Sequence, residues 1–121
     1  MAGSATVTYS ETRHGMRSVT WAWTSDASGD VSGTDTRAIS GQAVRWVSNP
    51  GATAPTADYD VTVLDADGVD VAVGVLADRH TSNSEAAFPA ANTYHAFDGV
   101  LSLVVSTAGN AKSGALTMYY R

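Results

Sequence analysis

The chain contains no cysteine, which excludes disulfides, thiolate zinc sites and cysteine nucleophiles, and leaves the redox compartment open. Lysine is almost absent: Lys112 stands alone, and the six arginines (Arg13, Arg17, Arg37, Arg45, Arg79 and Arg121) form no basic run. Twelve acids against seven bases give a net charge of −5. Phosphate binding needs clustered cations, so no nucleic-acid partner is expected. No apolar run approaches the ~18–20 residues of a membrane helix, so no membrane partner is expected either. The opening MAGSATVTYSE has neither a basic nor an apolar leader region, which predicts no signal peptide and synthesis in the cytoplasm. Glutamate is scarce as well, with Glu11 and Glu85 the two examples.

Val, Thr, Ser, Ala and Gly dominate what remains, in short alternating segments separated by turn-forming clusters. With 121 residues and no repeat or linker, this predicts one domain, residues 1–121. The pattern is that of an all-β protein, an antiparallel β-sandwich or barrel of about seven strands. The strands are expected near 4–13, 16–25, 41–48, 58–65, 69–76, 98–106 and 114–121. Residues 26–40 read as a long polar loop or frayed edge hairpin. One short helical turn is expected where Ser82 and Glu85 form a capping box before Ala86, Ala87 and Phe88, with Pro89 as the stop.

Register sharpens this reading, because a slip of one residue turns every side chain over. In the first hairpin a two-residue loop would oppose Tyr9 to Thr20, mixing faces. A three-residue loop, Arg13-His14-Gly15, opposes Tyr9 to Val19, Val7 to Trp21, Ala5 to Trp23 and Glu11 to Arg17. Gly15 then takes the left-handed bulge position. In YDVTVLDADGVDVAVGV (59–75) a two-residue turn would set Asp65 against Asp70. The loop Ala66-Asp67-Gly68 instead pairs Val63 with Val71, Val61 with Val73 and Tyr59 with Val75, leaving Asp60, Thr62, Asp70 and Ala72 on the wet side. Trp21, Trp23 and Trp46 are expected to anchor the core with Val19 and Val44. Tyr119 and Tyr120 are neighbours, so a strand sends one of them out of that core.

The chemistry-bearing candidates are weak. Aligning Gly68 with the sixth position of an EF-hand puts Asp65 and Asp67 at positions three and five, but Val63 and Gly74 occupy the first and twelfth. Solvated turn acids explain the cluster better than a cation, and no metal or cofactor is expected. GNAKSG (109–114) lacks the glycine before Lys112 and precedes a strand, so it is a turn and not a phosphate loop. His14, His80 and His95 show no ligand spacing. No G-x-S-x-G elbow is present, and a two-carboxylate glycosidase would have to use aspartates on a very small domain. The residues therefore point to a protein that is not an enzyme.

Four phrases taken in order, WAWTSDASGDVSG (21–33), YDVTVLDADGVDV (59–71), ADRHTSNSE (77–85) and STAGNAKSGALTMYYR (106–121), resemble a group of small virion proteins encoded by tailed bacteriophages. The resemblance implies a structural protein of the phage particle, foremost a capsid decoration (cement) protein on the head surface, with the major capsid protein as partner. It implies a homo-oligomer, a trimer above other states, made in the host bacterial cytoplasm. It carries no catalytic residue. A tail or head-completion component is the neighbouring alternative. A carbohydrate-binding module for host attachment is a rival of another class, motivated by the Trp and Tyr supply. The candidate interaction surface comprises Tyr119, Tyr120, Arg121, Asp65 and Asp67, and the long polar loop 26–40 is a further candidate.

Overall fold

The computed structural model describes residues 3–11, 15–90 and 94–121. Two antiparallel sheets face each other. Their strands are β1 (Ser4–Glu11), β2 (Arg17–Thr24), β3 (Val31–Asp35), β4 (Ile39–Pro50), β5 (Asp60–Leu64), β6 (Glu85–Ala87), β7 (His95–Gly99), β8 (Ser102–Ser106) and β9 (Ser113–Tyr120). The larger sheet runs β1-β2-β9-β4, with β6 and β7 sharing the far edge of β4; the smaller runs β3-β8-β5. The all-β sandwich follows the alternation of the sequence, with nine strands where about seven were expected.

The first hairpin has the register that its face pattern demands: Ala5 opposes Trp23, Val7 opposes Trp21, Tyr9 opposes Val19 and Glu11 opposes Arg17. Gly15 has φ +76°, the left-handed conformation that a residue without Cβ adopts freely; Arg13 and His14 of that loop lie outside the described residues. Trp21, Trp23 and Trp46 are all buried between the sheets, with Leu101, Leu103, Leu116 and Met118. Val44 does not join them. It sits at a register shift between Ala43 and Arg45, and the smaller Ala43 takes the inward place.

The second hairpin keeps its expected tip and loses its second arm. Gly68 has φ +78°, Leu64 bridges Asp70, and the Val71 N–H donates to the Val63 carbonyl at 2.7 Å. Beyond that point residues 71–76 coil instead of extending. The Asp70 carboxylate accepts N–H groups from Val63 and Ala72 (both 3.0 Å) and from Gly74 (2.9 Å). Val73 and Gly74 turn left-handed at φ +52° and +82°. Val73 is therefore 71% exposed instead of paired with Val61, whose N–H goes to the Leu76 carbonyl at 3.1 Å. Ala72, expected on the wet side, is fully buried beside Leu76. Tyr59 bridges Arg79 and not Val75.

Three further expectations are corrected. The 26–40 segment contains β3, an edge strand whose Gly33 makes a bulge between Ser32 and Thr34. The expected strand 98–106 is two strands in different sheets, joined at a corner after Gly99 (φ +112°). Thr36, in the other crossing between the sheets, pins that corner: its N–H donates to the Leu101 carbonyl, and its Oγ1 accepts the Leu101 N–H. No helical turn forms at Ser82–Phe88. His80 Nδ1 accepts the N–H groups of Ser82 and Asn83, and so takes the Ser82 donor that a capping-box Glu85 would satisfy. Glu85 accepts instead from the His80 N–H, and its strand β6 pairs with β4.

Candidate functional site

The sequence-named residues fall at one end of the sandwich, on different sheets. Asp35, Ser102 and Leu64 share a row of the small sheet, so the 65–69 tip lies at the end where the chain crosses from β3 to β4. In the large sheet Tyr120 lies opposite Arg17 and Ala43, at the same end. Asp65 and Asp67 are turn-builders there: Asp65 Oδ1 accepts the N–H groups of Asp67 (2.9 Å) and Val69 (3.1 Å). These bonds engage one oxygen of the Asp65 carboxylate in holding the turn. Among the described residues no three His, Asp or Glu side chains converge in a way that could hold a metal.

Tyr120 is the core member of the tyrosine pair, at 3% exposure. Its ring stands edge-on to Phe97 at 5.4 Å and lies under the Arg17 guanidinium at 4.9 Å. The backbone of Arg121 is held by reciprocal bonds with Gln42, while its side chain is exposed. Beside Tyr120 an open cavity of about 320 Å³ is lined by Glu11, Arg17, Arg37 and Asp98 among others. Arg37 stacks over Tyr9 at 4.0 Å and donates its backbone N–H to the Tyr9 hydroxyl at 2.8 Å. Both guanidiniums thus rest on rings, in a shallow recess of mixed charge, which suits contact with a polar surface better than enclosure of a small substrate.

Tyr119 points the other way, onto the outer face of the large sheet. Register defines that face row by row. Thr8, Thr20, Thr117 and Val47 share one row, and the Thr20 and Thr117 hydroxyls are 2.9 Å apart. Thr6, Ala22, Ala115 and Asn49 make the next. Ser10, Ser18, Tyr119 and Arg45 make the third, with the Arg45 guanidinium 5.8 Å from the Tyr119 ring. Across these rows Arg45 is the one charged side chain, in a protein of net charge −5. Continuing the strand registers by one residue sets Phe88 opposite Arg45 and Tyr94 opposite Val44. These two aromatics are 58% and 73% exposed.

Comparison with models of protein families and with characterised protein sequences gives no match. Among solved structures, the crystal structure of a cupin domain from Bordetella pertussis Tohama I aligns with 11% identity over 100% of this chain and 97% of that one, with a TM-score of 0.36.

The outer face escaped sequence reasoning because it is built from Thr, Ser and Ala, residue types that carry no chemical signature. Its signal was available in the first hairpin register, which already places Thr6, Thr8 and Ser10 together on one side. The two described histidines, His80 and His95, form no reactive pair. His80 Nδ1 accepts two backbone N–H groups, and His95 Nδ1 accepts the Trp46 indole N–H inside the core. The three tryptophans are buried, so of the rings that the sugar-stacking reading names, an exposed platform is offered by Tyr94.

Proposed function

We propose that this chain is a structural, non-catalytic component of a tailed-phage particle, a decoration protein that binds major capsid subunits and stabilises the head shell. The observation that carries the reading is the outer face of the large sheet, hydroxyl- and methyl-lined in the rows above, with a single charge there and an aromatic corner at Tyr119, Phe88 and Tyr94. Interfaces are depleted of charge at their centre and enriched in aromatics, which matches this face. The acidic turns, Asp65 and Asp67 among them, face away from that surface or lie at its end, where they suit solvent. Binding only the assembled shell would raise shell stability by mass action.

The test is reconstitution. Purified protein is mixed with undecorated heads, and co-sedimentation and heat-induced DNA release are measured. Saturable binding that raises the release temperature supports the reading, and Thr20→Glu with Thr117→Glu should abolish both effects. Cryo-electron microscopy that places the protein only in the tail would sink it.

A further inference from the structure

We infer that β1 is a pairing edge for a second copy of this chain, joining two six-stranded sheets into one across a two-fold axis. The other sheet edges are closed. A strand at the border of a sheet exposes a row of backbone N–H and C=O groups that will accept another strand unless it is short, bulged, charged or covered. On the far edge of the large sheet β6 has three residues, and β7 has five and carries Asp98. In the small sheet β3 is bulged at Gly33 and ends on Asp35. The edge of β5 is covered along its length by residues 65–79. The N–H of Val61 goes to Leu76, the N–H of Val63 goes to Asp70, and the Tyr59 carbonyl accepts from Arg79.

β1 has fewer of these protections: a terminal Glu11, and β3 with Arg37 packed against its core side. β1 is eight residues long, SATVTYSE, and pairs with β2 without a bulge. Proline and lysine are absent, and Glu11 at the last position is its only charge. Among the described residues its backbone makes no hydrogen bond on the side away from β2. On the core side Ala5, Val7 and Tyr9 stay half-exposed, with β3 alongside and Arg37 stacked over Tyr9, while the backbone row itself stays unpaired.

The occupant follows from charge and symmetry. Two copies of a −5 protein repel each other over most of their surfaces, and β1 is a border whose one charge, Glu11, lies at its end. An antiparallel edge is self-complementary under a two-fold axis, each strand offering the other the groups it lacks. With the axis near the middle of the strand, the two Glu11 carboxylates sit at opposite ends of the pair. Alternation is preserved as well, so Val7 and its neighbours extend the apolar side while Thr6 and Thr8 extend the hydroxyl face. This edge closes after two copies, where the family resemblance implies three. The inference stands independently of the particle reading, and a dimer would double the outer face that reading uses.

Analytical ultracentrifugation of the full chain over a wide concentration range, with hydrogen exchange on the same samples, tests it. The expected result is a reversible species of twice the 12.5 kDa chain mass, with protection of β1 amides that grows with concentration. Thr6→Lys with Thr8→Lys, both on exposed positions, should weaken association at least tenfold and leave the far-ultraviolet spectrum unchanged. Ala66→Lys with Asn83→Lys changes the net charge equally at exposed positions elsewhere and should not weaken it. A chain that stays monomeric at all concentrations would overturn the inference. So would a dimer that survives the β1 lysines, or β1 protection that appears only with another protein's extended segment.

Discussion

The indole N–H of Trp46 donates to Nδ1 of His95 at 2.9 Å, inside a core where His95 is 2% exposed. An accepting Nδ1 carries no hydrogen, so the ring is neutral with its proton on Nε2. Burial pushes the His95 pKa below its ordinary 6.5, and the Asp70 charge opposes that shift. The unfolded chain therefore takes up a proton near pH 6.5 that the folded chain resists. The contribution to stability is whole above that value and is lost as pH falls from there toward the lower folded pKa. Thermal unfolding at pH 7.5 and 5.5 should show a larger loss for the wild type than for His95→Asn, whose amide oxygen can still accept from Trp46. Parallel curves for the two proteins would show that another group sets the acid sensitivity.

Asp70 decides the course of the chain after the second hairpin tip. One carboxylate collects N–H groups from Val63, Ala72 and Gly74, which seats Ala72 and Leu76 in the core. Asp70→Ala strands the Val63 and Ala72 donors, at a cost of about 2–4 kcal/mol for bonds made to a charged acceptor. Urea unfolding should show a lower midpoint, with hydrogen exchange speeding first at Val63 and in residues 70–77. An unchanged midpoint would mean that water replaces the carboxylate without loss.

The same segment stores backbone strain at Val73, a β-branched residue at φ +52° with 71% of its surface exposed. Its side chain contributes little packing, while a left-handed conformation costs an ordinary residue about 1–2 kcal/mol. Val73→Asn should therefore stabilise the protein by roughly 1 kcal/mol, because Asn tolerates that region. The expected readout is a higher melting temperature at unchanged net charge. A lower one would show that the valine makes a contact worth more than the strain.

What the sequence made legible follows from where the information was local. Ala5, Val7 and Tyr9 against Trp23, Trp21 and Val19 could be paired because a single register buries all the rings, and the burial of Trp46 followed from the same alternation. The valines from Val69 to Val75 carry an equally regular pattern and do not form a strand. There the signal was overridden by one side chain, Asp70, whose three backbone bonds are invisible to periodicity. The corner at Gly99 was hidden for a different reason: alternation continues through Leu101 into β8 while the chain changes sheets. Ser82 and Glu85 had the spacing of a cap, and His80 took the Ser82 donor first. For the candidate surface, Tyr119 and Tyr120 could be sent to opposite faces from adjacency alone. The unpaired edge at β1 needed the strand order, which no local pattern contains.

Tyr59 offers a test of how the core tolerates an imperfect fit. Its ring packs against Trp23 at 5.6 Å and the residue is 1% exposed, yet its hydroxyl has no hydrogen-bond partner among the described residues. The Ser48 hydroxyl, which would favour the phenolate by bonding to it, donates instead to the Glu85 carbonyl at 3.5 Å. Burial pushes the phenol pKa above 10.0 against the opposing pull of Arg79, so the group stays neutral across the working range. A buried hydroxyl without a partner costs folding free energy, since water satisfied it in the unfolded chain. Tyr59→Phe keeps the ring and removes that oxygen, so it should leave stability unchanged or raise it by about 1 kcal/mol. Tyr59→Ala should cost about 3–5 kcal/mol by emptying the site. Chemical denaturation of both variants separates the two contributions. A Phe variant that loses more than ~1 kcal/mol would reveal a partner for the hydroxyl, the net worth of one ordinary hydrogen bond.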